Sequence, residues 1–193
     1  QLELKKAGMT LSDMNVKEIA SADTAAVFAD ASIAAIATYE PFMSQAVKNS
    51  TRPGARVMIS SAQPDYKGII TDVITARQDD LKAKPDKYVR FLKGIYMAID
   101  FANKNPDKFA ELAAPHFGLS PDEVKEILTS SLAYPPLPEA LDNMGKSGAR
   151  GRLHDIFDIV MQLNLENGAA DTKLESDAQI DNTVINSLAQ QGL

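Results

Sequence analysis

The sequence predicts an α/β fold: one βαβ lobe within residues 1–75, then a helical part over 76–193. Three observations carry this. Between Val16 and Ser60 strand-like and helix-like stretches alternate, the pattern of a βαβ unit. Ile33-Ala34-Ala35-Ile36-Ala37-Thr38 is a continuous run of small apolar residues, which suits a strand buried on both faces of a parallel sheet. Near Gly68 the apolar period changes, and the rest of the chain reads as helix.

Taken in order, residues 1–8 read as the end of an amphipathic helix closed by Gly8. Val16–Ile19 is a short strand candidate, and Ser21 or Asp23 caps a helix running to about Asp30. After Ile33–Thr38 the chain breaks at Tyr39-Glu40-Pro41, with Pro41 suited to the first turn of a helix over Phe42–Lys48. Arg52-Pro53-Gly54 is a turn, Val57–Ser60 a further strand, and Ile69–Ala76 an extended β-branched run. Lys84-Pro85-Asp86 opens a long amphipathic helix with Val89, Leu92, Ile95, Tyr96 and Ile99 on one face. Asn105-Pro106 caps the next helix, and Ser120-Pro121-Asp122-Glu123 is a capping box in front of Val124, Ile127 and Leu128. Tyr134-Pro135-Pro136-Leu137-Pro138 is a rigid connector. Two helices close the chain, over about Leu153–Leu165 and around Val184, Ile185 and Leu188.

Composition narrows the function. A net charge of −6 argues against nucleic acid and anionic membrane surfaces, whose phosphates need a basic footprint. Zero cysteines remove disulfides, thiolate catalysis and cysteine-ligated metals. The longest apolar stretch, Ile33–Thr38, is far too short to span a bilayer. Because the chain opens inside a helix, a truncated front is expected, which leaves room for a lost secretion signal. The helical half carries more apolar stripes than four short strands cover. Its faces are therefore expected to be bare, or covered by another chain or by residues outside this sequence.

Several segments resemble the solute-binding proteins for nitrate, alkanesulfonates, taurine and thiamin-precursor pyrimidines. They are Leu4-Lys5-Lys6-Ala7-Gly8-Met9, Asp23 to Ala31, Ile36-Ala37-Thr38-Tyr39-Glu40-Pro41-Phe42 and Val57-Met58-Ile59-Ser60-Ser61. Gly68-Ile69-Ile70-Thr71-Asp72-Val73-Ile74, Phe91-Leu92-Lys93-Gly94, Ala98-Ile99-Asp100-Phe101 and Asn105-Pro106-Asp107 extend the likeness over nearly the whole chain. Where that family usually has Gly-x-Val-Asp-Ala, this chain has Ala31-Ser32-Ile33-Ala34-Ala35, which points to a divergent subfamily. The resemblance implies a type II periplasmic-binding-protein-like fold, in which residues 1–75 form a lobe with a crossover strand and 76–193 the helical part of the other lobe. It implies a further N-terminal segment of about 100 residues on the size of two-lobed folds. It also implies capture of a small polar molecule, sulfonate-, amine- or pyrimidine-like, in an interlobe cleft by hinge closure. No bond is broken and no cofactor or metal is needed. An ABC permease would be the membrane partner, and the location would be periplasmic or extracellular, membrane-associated through the transporter.

On that resemblance Tyr39, Glu40 and Pro41 sit at the carboxyl edge of a lobe strand and bind ligand, while Thr71 and Asp72 lie in the returning crossover. On the residues alone, Tyr39 could instead only pack, and Glu40 only support the start of its helix. Asp72 lines the cleft or bonds a neighbouring backbone group. Tyr39, Glu40 and Asp72 are expected to approach one another, and two carboxylates suit an amine or amidine better than bare nitrate.

The other chemistry-bearing residues are read more plainly. His116 ends a helix, and His154 with Asp155 and Asp158 forms a solvated pair or a weak two-ligand face. Lys146, Arg150 and Arg152, among Gly145, Gly148 and Gly151, form a flexible loop or an anion-binding nest, without the spacing of a Walker loop. Ser60-Ser61 lacks a nucleophile elbow. Two rival readings come from other classes. One is a thiamin-pyrimidine-synthase-like enzyme of the same fold, whose implied cysteine-rich segment has no counterpart here. The other is a ligand-sensing module.

Overall fold

The computed structural model describes residues 1–66 and 68–192. Among them the secondary structure is helical and no strand or ladder is formed, which corrects the α/β expectation and removes the βαβ lobe. The four strand candidates remain non-helical but unpaired, and most of their side chains are exposed, Met58 at 69% and Ile70 at 74%, while Ile33, Ile36 and Ile69 are half-buried. The physical reason is that a helix satisfies its own backbone, whereas a strand needs a neighbour to take its N–H and C=O groups. Local contacts appear where ladder bonds were expected. Arg52 reaches back to donate Nη1 to the carbonyl oxygens of Ile33 and Phe28. The Thr71 hydroxyl donates to the Gly68 carbonyl at 2.9 Å and turns the start of the fourth segment.

Helix α1 (Leu2–Lys6) ends at Gly8, whose φ of +71° lets Gly8 and Met9 donate back to Lys5 and Leu4. Helix α2 (Thr24–Val27) is shorter than expected and is pinned by buried Thr24, which donates to the Ser21 carbonyl and pairs with the Thr38 hydroxyl. Helix α3 (Phe42–Lys48) begins just after Pro41, and α4 (Gln78–Ala83) leads into α5 (Pro85–Lys104). The hairpin of α6 (Pro106–Phe117) and α7 (Pro121–Ser130) follows. At the start of α7, Ser120 accepts from the Glu123 N–H while Glu123 accepts from the Ser120 N–H, the predicted capping box. Then come α8 (Leu137–Met144), α9 (Arg152–Glu166), α10 (Ser176–Gln179) and α11 (Thr183–Gln190).

Two apolar clusters hold these helices. Val89 on α5 packs with Val184 and Leu188 on α11, flanked by Leu81, Leu92, Tyr96 and Leu137. Ala110 and Ala114 on α6 pack with Val124 on α7. Both are small. The accessible surface is 13299 Å2, against about 9,000 Å2 for a compact monomer of this mass. The excess includes Phe91, Met97 and Phe101 on α5, at 51%, 58% and 38% exposure, so apolar helix faces after Pro85 are bare as expected.

Asp80 couples α4 to α5. It accepts from Lys84 Nζ at 2.8 Å, Lys87 Nζ at 2.7 Å and the Tyr88 hydroxyl at 2.7 Å. The hydrogen bond from Lys84, then those from Lys87 and Tyr88, hold its carboxyl far below the ordinary value of 3.8. A depressed folded value means the stabilisation is complete above the unfolded value and fades as pH falls below about 4 toward the folded one. Urea midpoints at pH 5.5 and pH 2.5 are expected to differ less in Asp80→Asn than in the parent chain. An equal difference in both would take Asp80 out of the acid response.

Candidate functional site

The site is built where the chain between α2 and α3 meets the α6–α7 hairpin. Glu40 stands two residues before α3, and the Glu40–Pro41 peptide bond is cis. Its carboxylate accepts from the Ser44 N–H at 3.1 Å through Oε2 and from the Ser44 hydroxyl at 2.9 Å through Oε1. Oε1 also accepts from the hydroxyl of Ser131, just past α7, at 3.2 Å. Glu40 therefore supports the first turn of its own helix and ties that turn to the helical half. Farther along α3, Lys48 pairs with Glu123 at 3.4 Å, an exposed contact that contributes little.

Behind Glu40 lies an apolar groove of about 70 Å3. With Glu40 and Pro41, it is lined by Phe109, Ala113 and Phe117 of α6 and by Val124, Ile127 and Leu128 of α7. Leu132 and Tyr134 complete the lining, with Phe109 and Tyr134 edge to face at 6.4 Å. The groove exists because the α6–α7 hairpin buries small residues, Ala110 and Ala114, against Val124, which leaves the larger rings at its margin. A wider hollow of about 490 Å3 lies at Arg77, Asp79, Asp80, Ala83 and Tyr88. It is open, and its charges are turned on one another: Arg77 forks onto Asp79 at 2.7 and 3.1 Å, and Asp80 takes Tyr88. The smaller groove, with one carboxylate at an apolar slot, has the better chemistry for holding a ligand.

The five site candidates part company here. Glu40 and Pro41 line the groove. Tyr39 is 62% exposed and packs edge to face on Phe42 at 5.6 Å. Thr71 is engaged in the Gly68 turn, and Asp72 is exposed; neither lines the groove with Glu40. Ser131 escaped the sequence reading, since a serine after a helix carries no signal of its own. Phe109 and Tyr134 were legible only as a helix residue and a connector residue.

The glycine-rich loop proves tied down, not flexible. Asn182 and Asn186 of α11 donate to the Gly145 carbonyl at 3.0 and 3.1 Å, and the Ser147 N–H donates to Asn186 Oδ1 at 3.1 Å. Arg150 bonds Asp158 at 2.6 Å and Asp177 at 2.7 Å, and the Asp158 hydrogen bond raises its already high pKa. Arg152 lays its guanidinium against the Gly68 backbone. His154 is not a solvated residue: it is 4% exposed, and its Nδ1 accepts the Gly151 N–H at 3.2 Å. His116 is exposed near the end of α6, as expected.

Residues 3–109, more than half of the chain, match the family model described as NMT1/THI5 like. The chain belongs to the NMT1/THI5-like family. This is a family of nitrate, sulfonate and thiamin-precursor binding proteins, usually periplasmic or extracellular, with synthases among its members. A small-molecule-binding role of the periplasmic-binding type follows for the NMT1/THI5-like chain. The matched region contains Tyr39, Glu40, Pro41, Thr71, Asp72 and Phe109. No curated protein and no solved structure matches the chain. Among the described residues no helix is long and apolar enough to cross a membrane.

Proposed function

We propose that this NMT1/THI5-like chain is the solute-binding component of an ABC importer, working outside the cytoplasmic membrane beside its permease. It captures a small polar ligand, sulfonate-, amine- or pyrimidine-like, without breaking a bond. The ligand sits between residues 1–75 and 76–193, which act as two units, with Tyr39, Glu40, Pro41, Thr71 and Asp72 lining its approach. The observation that supports this best is the position of Glu40. It bridges from the first unit to Ser131 of the second and lines an apolar groove. A ligand bonded to that carboxylate touches both units at once, so binding favours the arrangement in which they are closed. Asp72, exposed in the returning segment, becomes a second contact only when the units close further.

The test is calorimetric. Taurine, a longer alkanesulfonate and an aminopyrimidine are titrated into the full chain and into Glu40→Gln and Asp72→Asn. Loss of one charge-assisted hydrogen bond, about 1.5–3 kcal/mol, weakens binding roughly tenfold or more. Unchanged affinity in both variants would leave the two carboxylates as structure only.

A further inference from the structure

We infer that the groove behind Glu40 is a subsite for an ammonium group carried on a short aliphatic tail. This deepens the binding role proposed above and rests on it. Size decides the tail. A cavity of about 150 Å3 accommodates the six carbons of benzene, which allows about 25 Å3 for each buried non-hydrogen atom. A groove of about 70 Å3 then takes about three such atoms, a propyl or isopropyl group, and excludes a whole ring. The lining agrees: Ala113, Ile127 and Leu128 offer carbon only, and the edge-to-face pair of Phe109 and Tyr134 stiffens it.

Charge decides the head. Each carboxylate oxygen offers about two acceptor positions. Among the described residues, Glu40 Oε2 accepts one bond, from the Ser44 N–H, and so retains a second acceptor position, on a residue that lines the groove. The hydroxyls of Ser44 and Ser131 are both held on Oε1, and Ser131 Oγ also lies 3.1 Å from Ser130 Oγ. An ammonium has three donors and no acceptor, which suits the acceptor-only carboxylate that Glu40 brings to the groove lining. A carboxylate or sulfonate at the same place meets the Glu40 charge, and the described lining residues include no cation to offset it.

The probes are n-propylammonium, propionate and benzylammonium, titrated into the full chain while the methyl NMR signals of Ala113, Ile127 and Leu128 are followed. Propylammonium is expected to shift these signals with saturation in the millimolar range, and propionate to leave them in place. Benzylammonium is expected to bind at least tenfold more weakly. Glu40→Gln weakens propylammonium at least tenfold. Ala113→Leu, which fills the slot, abolishes the response. Phe117→Ala trims a lining residue that is 63% exposed, so folding is spared, and it narrows the gap between propylammonium and benzylammonium. Equal binding of propionate, or a response that survives both Glu40→Gln and Ala113→Leu, overturns the subsite. The two readings fail separately. A solute captured with an affinity that ignores Ala113→Leu overturns the subsite and leaves the binding role. Millimolar propylammonium binding without tighter capture of any sulfonate, amine or pyrimidine solute leaves the subsite and overturns the transport role.

Discussion

Gly151→Ala is expected to destabilise the chain by about 3 kcal/mol or more, because its new methyl group has nowhere to go. A Cβ at Gly151 would lie 2.2 Å from the Gly145 nitrogen, 2.3 Å from the Asn143 carbonyl oxygen and 2.6 Å from the Met144 carbonyl carbon. All three are backbone atoms, so no rotamer change relieves the overlap, and the end of α8 would have to move away from the start of α9. That movement would pull Gly145 from the amides of Asn182 and Asn186, which couples the damage to α11. The backbone at Gly151 is extended, with φ of −106°, so the effect is steric and not conformational. Gly148→Ala is the control. Its φ is +74° but a Cβ there meets nothing within 4 Å, so its cost is about 1 kcal/mol, that of the left-handed conformation alone. Urea unfolding followed by circular dichroism separates the two. Equal midpoints for both variants would mean that the two glycine backbones do not approach this closely.

Leu188→Ala is expected to cost about 2–5 kcal/mol. Leu188 has no exposed surface, and it joins α11 to Val89 of α5 within the cluster that also holds Val184. The range is wide because the cost depends on how far the neighbours collapse into the space. Tyr96 and Leu137 pack at the margin of that cluster and are only partly buried, so they have freedom to shift, which favours the lower half of the range. Leu112→Ala on α6, at 57% exposure, is the comparison and is expected to change stability by no more than about 0.5 kcal/mol. The urea midpoint should fall for Leu188→Ala with the slope preserved. A midpoint that matches Leu112→Ala would deny that α11 is anchored by this side chain.

The helical half was legible because its signals are local. The Ser120–Glu123 capping box, Pro85 and Pro106 at helix starts, and the stripe through Val89, Leu92 and Tyr96 each act within a turn or two. All reappear in the structure. The first half was misread for a physical reason. Runs such as Val57–Ser60 state a preference against helix and toward extended backbone, but pairing depends on a partner distant in sequence, and none is met among the described residues. Glu40 was legible because a proline and an acid close a small apolar run. Its contact with Ser131 was not, since 91 positions separate them and neither residue type reports on the other. His154 was misjudged by its neighbours: Asp155 and Asp158 suggested solvent, whereas the ring is folded under the start of α9 against Gly151.

The bare segments have a consequence for how the chain behaves in a crowded solution. Val57, Met58 and Ile59 form one exposed stretch without helical protection, and Ile70, Val73 and Ile74 mark another. Short β-branched stretches of this kind template intermolecular cross-β stacking when they meet copies of themselves. Charges placed within or beside such stretches act as gatekeepers, because stacking would align like charges along a fibril. Asp72 interrupts the second stretch between Ile70 and Val73, and Arg56 adjoins the first at Val57. Both side chains are exposed, where that charge is felt by an approaching copy. The charge of Asp72 is thus placed to disfavour such stacking, whether or not it also touches a ligand.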